Sequence, residues 1–253
     1  GDATAQVVEL KAASALPKRI VYAAHFYRWT EKVNEMCKGK VQISVVGPAA
    51  IKSLEQWNAV KSGVVDMHFG PAAYFAGAMP EGDVVSLAET TPADMRKNGA
   101  RDMLVAQYRK RMNVQYLPVI HNGISFYIYT TKPAKNGRFD GFRLRSVPIY
   151  DDFFRYLGAQ TVRMGAPSVF TALERKVIDG LGWPLWGAHQ FGWTRFIKYR
   201  YGPGFLSSAI LILVNLDKWK SMTDAQRKCL NDMSVWLEAE YPKWRAEENA
   251  RQL

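Results

Sequence analysis

No stretch of this 253-residue chain approaches the roughly 18 uninterrupted apolar residues that a membrane helix needs. Its most apolar run, Ala209 to Val214, is only strand-sized, so no bilayer-spanning helix is expected. The first residues, Gly1 to Gln6, lack the basic-then-apolar order of a secretion signal, and a secreted chain whose signal has been removed reads the same way. Cysteine is scarce. Cys37 and Cys229 belong to no CxxC or Cys/His cluster, which argues against zinc and against a dense disulfide framework and leaves one long-range disulfide open. Catalytic signatures are missing as well: there is no GxSxG elbow, no GxxxxGK[ST] phosphate loop, no GxGxxG and no HExxH. The chain also has no low-complexity segment and no obvious internal repeat.

Charge is plentiful, with a net of +11, but the basic residues run from Lys11 to Arg251 among 23 acidic ones and form no Lys/Arg block. That distribution favours a solvated basic surface and small anionic partners over nucleic acid. With 48% apolar residues the chain can bury a substantial core, as one large domain or two lobes.

Strands and helices alternate. Val7 to Ala13 reads as a strand, Lys18 to Cys37 as a helix stopped at Gly39, and Val41 to Val46 as a strand. Ser53 can cap a short helix carrying Leu54, Trp57 and Val60, and Val64 to Phe69 is strand-like again. A helical region from Pro92 to Met112 precedes two extended runs, Val114 to Ile120 and Ile124 to Thr130. Asn122-Gly123 lies between these runs, which fits either a hairpin or a crossing between lobes. Further strands are expected at Phe142 to Val147, Thr161 to Met164 and Ala209 to Val214. Helices are expected at Asp151 to Leu157, from Pro167 to about Lys176, after Pro184, and at the C-terminus. Such alternation implies α/β architecture with mostly parallel sheets, whose ligands bind at strand carboxyl ends, so the loop after Ala13 and the Phe69-Gly70-Pro71 segment come forward as site loops.

Two segments carry candidate chemistry. In Phe142-Arg143-Leu144-Arg145, alternation puts Arg143 and Arg145 on one side, and a guanidinium at a strand end suits a carboxylate, although a surface ion pair is the plainer reading. The segment Ser168 to Pro184 reads as a helix with a glycine-bearing exit, in which Gly180 and Gly182 allow close backbone approach. Trp183 then lies beside a helix start, as a ligand face or as an ordinary core residue. His25, His68, His121 and His189 are isolated in sequence; His68 and His121 lie at expected strand ends.

Taken together, Gly141 to Arg145, Ala172-Leu173 through Asp179-Gly180 to Pro184, Gly39-Lys40-Val41, Ser62 to Met67, and Val214-Asn215 with Trp219 resemble the substrate-binding receptors of TRAP transporters, the dicarboxylate-receptor type. The resemblance implies two lobes, residues 1–121 plus 208–253 and residues 122–207, joined by crossing strands and a long C-terminal helix. It also implies periplasmic location after removal of a signal peptide, a TRAP membrane permease as partner, no enzyme activity, no cofactor, and a ligand carboxylate gripped by Arg145. Ser125 stands where sialic-acid-type members carry a second arginine, and Trp183 where they carry an asparagine. Gly182 replaces the metal-binding glutamate of keto-acid members, so neither a sugar acid nor a metal is expected. Phe69, Tyr74, Tyr150 and Trp183 are the expected aromatic lining, with Asn122, Ser125 and Gly182 beside them. The implied ligand is an aromatic or apolar monocarboxylate between Arg145 and Trp183. Two other readings stand beside this one: a two-lobed hydrolase or transferase using His68 or His121 with Ser125, and the sensor domain of a signalling receptor.

Overall fold

The computed structural model describes residues 6–207 and 209–252. The chain opens β1 (Val8–Ser14), α1 (Val21–Met36), β2 (Val41–Val46), α2 (Gln56–Lys61), β3 (Met67–Pro71). Ser53 does not cap α2; its hydroxyl donates to the Ala15 carbonyl at 2.7 Å, and the helix begins later, at Gln56. After the short α3 (Val84–Leu87), the expected single helix is two, α4 (Pro92–Lys97) and α5 (Ala100–Met112). Thr91 caps α4 by accepting from the Asp94 amide at 3.1 Å, while the left-handed Gly99 (φ 84°) breaks the run before α5.

β4 (Val114–Ile120) and β10 (Ile210–Asn215) complete the first sheet, in the order β2-β1-β3-β10-β4. β10 is buried throughout, as an uninterrupted Ile-Leu-Ile-Leu-Val run must be, and pairs antiparallel with both neighbours. Pro118 is tolerated in β4 because the strand is an edge and the ladder shifts register there, with Leu117 and Pro118 both lying between the pairs Val119–Leu211 and Tyr116–Leu213.

The second sheet holds β5 (Ser125–Thr130), β6 (Arg143–Ser146), β7 (Gln160–Arg163), β8 (Gly180–Pro184) and β9 (Tyr199–Ser207), ordered β7-β6-β8-β5-β9. α6 (Asp151–Tyr156) and α7 (Val169–Glu174) belong to this half. Since β4 and β5 lie in different sheets, the chain crosses at 121–124 rather than turning a hairpin, and it returns between β9 and β10. Both sheets are mixed: parallel pairs join β1 to β2 and β3, and β6 to β7 and β8, and the remaining pairs are antiparallel.

The segment around Trp183 departs from the helical reading. It is the strand β8, and its glycines serve packing: a Cβ on Gly180 would lie 2.3 Å from the Tyr129 carbonyl oxygen, and one on Gly182 2.8 Å from the Phe154 ring. α8 (Leu216–Ser221) and the 29-residue α9 (Asp224–Gln252) close the chain. Cys37, just past α1, and Cys229 in α9 form a disulfide across 192 residues. α9 also holds the first crossing, where the Tyr241 hydroxyl lies 3.0 Å from His121 Nδ1 and Arg245 donates to the Asn122 carbonyl at 3.2 Å. From the second half, Trp186 Nε1 donates to Asn249 Oδ1 at 3.0 Å.

Candidate functional site

β6 and β8 run parallel and end together at the seam between the sheets, which sets Arg145 next to the Gly182-Trp183 backbone. The Arg145 side chain is almost wholly enclosed, at 1% exposure. Its Nε donates to the Met164 carbonyl at 2.9 Å, and Nη1 to the Tyr150 hydroxyl at 2.8 Å and the Gly182 carbonyl at 3.3 Å. Nη2 has no partner, and among the described residues no carboxylate pairs with this guanidinium. Arg143 takes the plainer course on the same strand, pairing with Asp179 at 3.3 Å.

Arg145 opens on a cavity of about 30 Å³ at the seam. Tyr74, Tyr150 and Trp183 line it as expected, together with Phe126, Leu206 and Ile210, which the sequence reading missed. Tyr74 is 6% exposed and its hydroxyl has no partner among the described residues. Burial first, and then the neighbouring Arg145 charge acting the other way, leave the Tyr150 phenol pushed up to about 12, so it stays a neutral donor, here to the Gly182 carbonyl at 3.2 Å. The Trp183 indole nitrogen is already used, donating to the Trp186 carbonyl at 2.7 Å. Its ring centroid lies 5.8 Å from the Arg145 guanidinium carbon, so Trp183 flanks the cation instead of facing it from the far end of the cavity.

The other expected residues are placed elsewhere. Phe69 is fully buried, stacked on Phe26 at 4.5 Å, and Pro71, two residues on, lines the cavity in its stead. Ser125 is exposed on β5 against Gly204, and Asn122 sits at the crossing beneath Arg245. Gly182 contributes its carbonyl to the arginine cradle.

Neither suspected histidine meets a nucleophile. His121 is buried, with Nδ1 near Tyr241, Nε2 3.0 Å from the Tyr22 carbonyl and its ring stacked on His25. His68 is buried in β3, where burial lowers it to about 4 against a weaker opposing pull from the Ala13 backbone. Among the described residues no group of three His, Cys, Asp or Glu side chains could hold a metal ion.

Two α/β lobes meeting at a small, largely apolar cavity around one buried guanidinium form the two-lobed fold of periplasmic binding proteins. The model of the bacterial extracellular solute-binding protein family 7 (DctP) matches residues 12–252, and the chain belongs to that family. It is a transport receptor, not an enzyme. Solved structures share the fold at low identity. A TRAP periplasmic solute-binding protein from Roseobacter denitrificans with bound L-galactonate superposes at a TM-score of 0.86, with 16% identity over 98% of this chain and 85% of that one. DctP7 from Bordetella pertussis, binding pyroglutamic acid, gives 0.83, with 16% identity over 97% and 83%. A TRAP protein from Pseudoalteromonas atlantica with bound sodium and pyruvate also gives 0.83, with 18% identity over 98% and 78%.

Proposed function

We propose that this receptor captures a compact monocarboxylate with an apolar or aromatic body, anchors its carboxylate on Arg145, and presents the closed complex to a TRAP membrane permease from the periplasmic side. The lobes that close are residues 1–121 with 208–253 and residues 122–207, hinged at the two crossings. One observation carries the reading: the Arg145 guanidinium is buried without a carboxylate partner among the described residues and has a free Nη2 at the cavity. A buried cation left without a counter-ion costs several kcal/mol, and an incoming carboxylate removes that cost while fixing its own orientation.

The rest of the wall supports an apolar body, since Phe126, Pro184, Leu206 and Ile210 offer no charge and Arg145 is the only ionised group of the lining. A second carboxylate would be left unpaired. Solved relatives bind acids from L-galactonate to pyruvate, and the small cavity here favours the compact end of that range.

Thermal unfolding across a carboxylate panel tests this. A fitting ligand at a hundred times its Kd adds about 2.7 kcal/mol of stability. That gain disappears in Arg145→Ala. Stabilisation by hydroxylated sugar acids or short dicarboxylates alone would overturn the ligand class, and a gain that survives in Arg145→Ala would overturn the anchor.

A further inference from the structure

Charge is divided unevenly along the chain. Residues 122–207 carry twelve Lys/Arg against five Asp/Glu, so 86 residues supply +7 of the total +11. Strand direction then sorts that charge in space. β5 runs away from the cavity, and β6, β8 and β9 run toward it, with Thr130 paired to Gly180 and Tyr199 and Leu144 to Gly180. Thr130, Arg143, Gly180 and Tyr199 therefore mark the end of the sheet farthest from the cavity, which is lined by Phe126, Arg145, Trp183 and Leu206 at the other end.

Lys132, Lys135, Arg175, Lys176, Lys198 and Arg200 are all exposed around that far end. Three acids share that end: Asp179 lies 3.3 Å from Arg143 and 3.7 Å from Lys132, Asp140 lies 3.2 Å from Arg138, and Glu174 is exposed beside Arg175 and Lys176, so the cations outnumber the acids. The cations stand on separate turns, namely the connection after β5, the end of α7 and the start of β9. Exposed apolar side chains project among them: Tyr199 at 42% and Val177 at 43%. Tyr156, at 78%, joins them where its carbonyl accepts from Arg138.

We propose that this far end of the second lobe docks on an anionic phospholipid surface. Lysine and arginine side chains gain attraction from lipid phosphates over about a Debye length, and tyrosine prefers the headgroup level, where its ring is shielded and its hydroxyl stays wet. Cations dispersed around projecting rings suit a surface of mobile headgroups better than a fixed strand of nucleic acid. Docked this way the receptor stands with its ligand cavity at the opposite end of the sheet, so capture continues while the protein is held near the membrane.

The test is co-sedimentation of the full chain with vesicles of equal parts phosphatidylglycerol and phosphatidylcholine, against vesicles of phosphatidylcholine alone. The protein sediments with the anionic vesicles only, and raising the salt releases it. Lys176→Gln, Lys198→Gln and Arg200→Gln each weaken binding about fivefold, and the triple variant roughly a hundredfold. These variants keep the parent melting temperature, and Lys110→Gln, an exposed cation of α5, binds like the parent. Equal binding to neutral vesicles, no binding at low salt, or equal loss in Lys110→Gln would overturn the proposal. Retention on a polyglutamate matrix without vesicle binding would reassign the face to an acidic protein partner.

Discussion

Tyr74 brings to the cavity a hydroxyl with no partner among the described residues, the same condition as Arg145 Nη2. Tyr74→Phe therefore leaves the melting temperature of the empty receptor unchanged or higher, but weakens carboxylate binding about tenfold by calorimetry. Buried ionisable groups set a second residue-scale expectation. Burial lowers His25 and His68 to about 4 and holds His121 well below the ordinary histidine value, so these rings are neutral in the fold and protonate on unfolding as pH falls below 6.5. Burial raises Asp83 to about 7, so near pH 5 it holds a proton when folded and releases it when unfolded. Three protons gained against one lost means that unfolding takes up about two, so stability rises with pH around pH 5, by on the order of 3 kcal/mol per pH unit. Urea titrations between pH 4.5 and 6 measure this slope, and Asp83→Asn steepens it toward three protons. Of the proposed site residues, Arg145 and Trp183 stand in family motifs, and Tyr74 and Tyr150 are legible only as aromatic residues beside the implicated loops; all four line the cavity. Phe69, Ser125 and Asn122 do not line the cavity: Phe69 lies two residues before the strand end that reaches it, Ser125 faces away where its neighbour Phe126 faces in, and Asn122 belongs to the crossing, placements that only packing decides.

At the scale of elements, the seam between the lobes has a second contact besides the cavity. Gly165, after β7, approaches Ser53 of the other lobe so closely that a Cβ on Gly165 would lie 3.1 Å from the serine Cβ. Its backbone is extended rather than left-handed, so a side chain is excluded by the opposite lobe and not by its own conformation. Gly165→Val should thus leave each lobe folded while opposing closure, lowering ligand affinity at least several-fold and enlarging the liganded receptor in small-angle scattering. The strands Val41–Val46 and Ile210–Asn215 could be read from alternation and from a continuous apolar run. β8 could not, since its glycines signal a turn until the Tyr129 backbone against Gly180 and the rings against Gly182 are seen. β9 was missed because Gly202-Pro203-Gly204 interrupts a half-exposed edge strand with no clean alternation.

Across the whole molecule, the Cys37–Cys229 disulfide ties the end of α1 to the start of the helix that braces the crossing. Reduction, or Cys37→Ala with Cys229→Ala, should lower unfolding stability by about 2–4 kcal/mol in denaturant titrations, with ligand affinity kept wherever the protein stays folded. The two-lobed plan was legible from the alternation and the family motifs. Whether 121–124 turned back or crossed was not, because extended backbone looks the same in both cases. The cavity borders the return crossing directly, through Leu206, Ser207, Ala209 and Ile210. On the closure proposed above, the ligand acts close to the pivot formed by the two crossings, whereas Lys198 and Arg200 lie at the far end of the second sheet. A rotation about that pivot displaces the tip more than the cavity wall, so a fluorophore pair joining position 198 to the first lobe should report ligand capture with more travel than a label near the cavity.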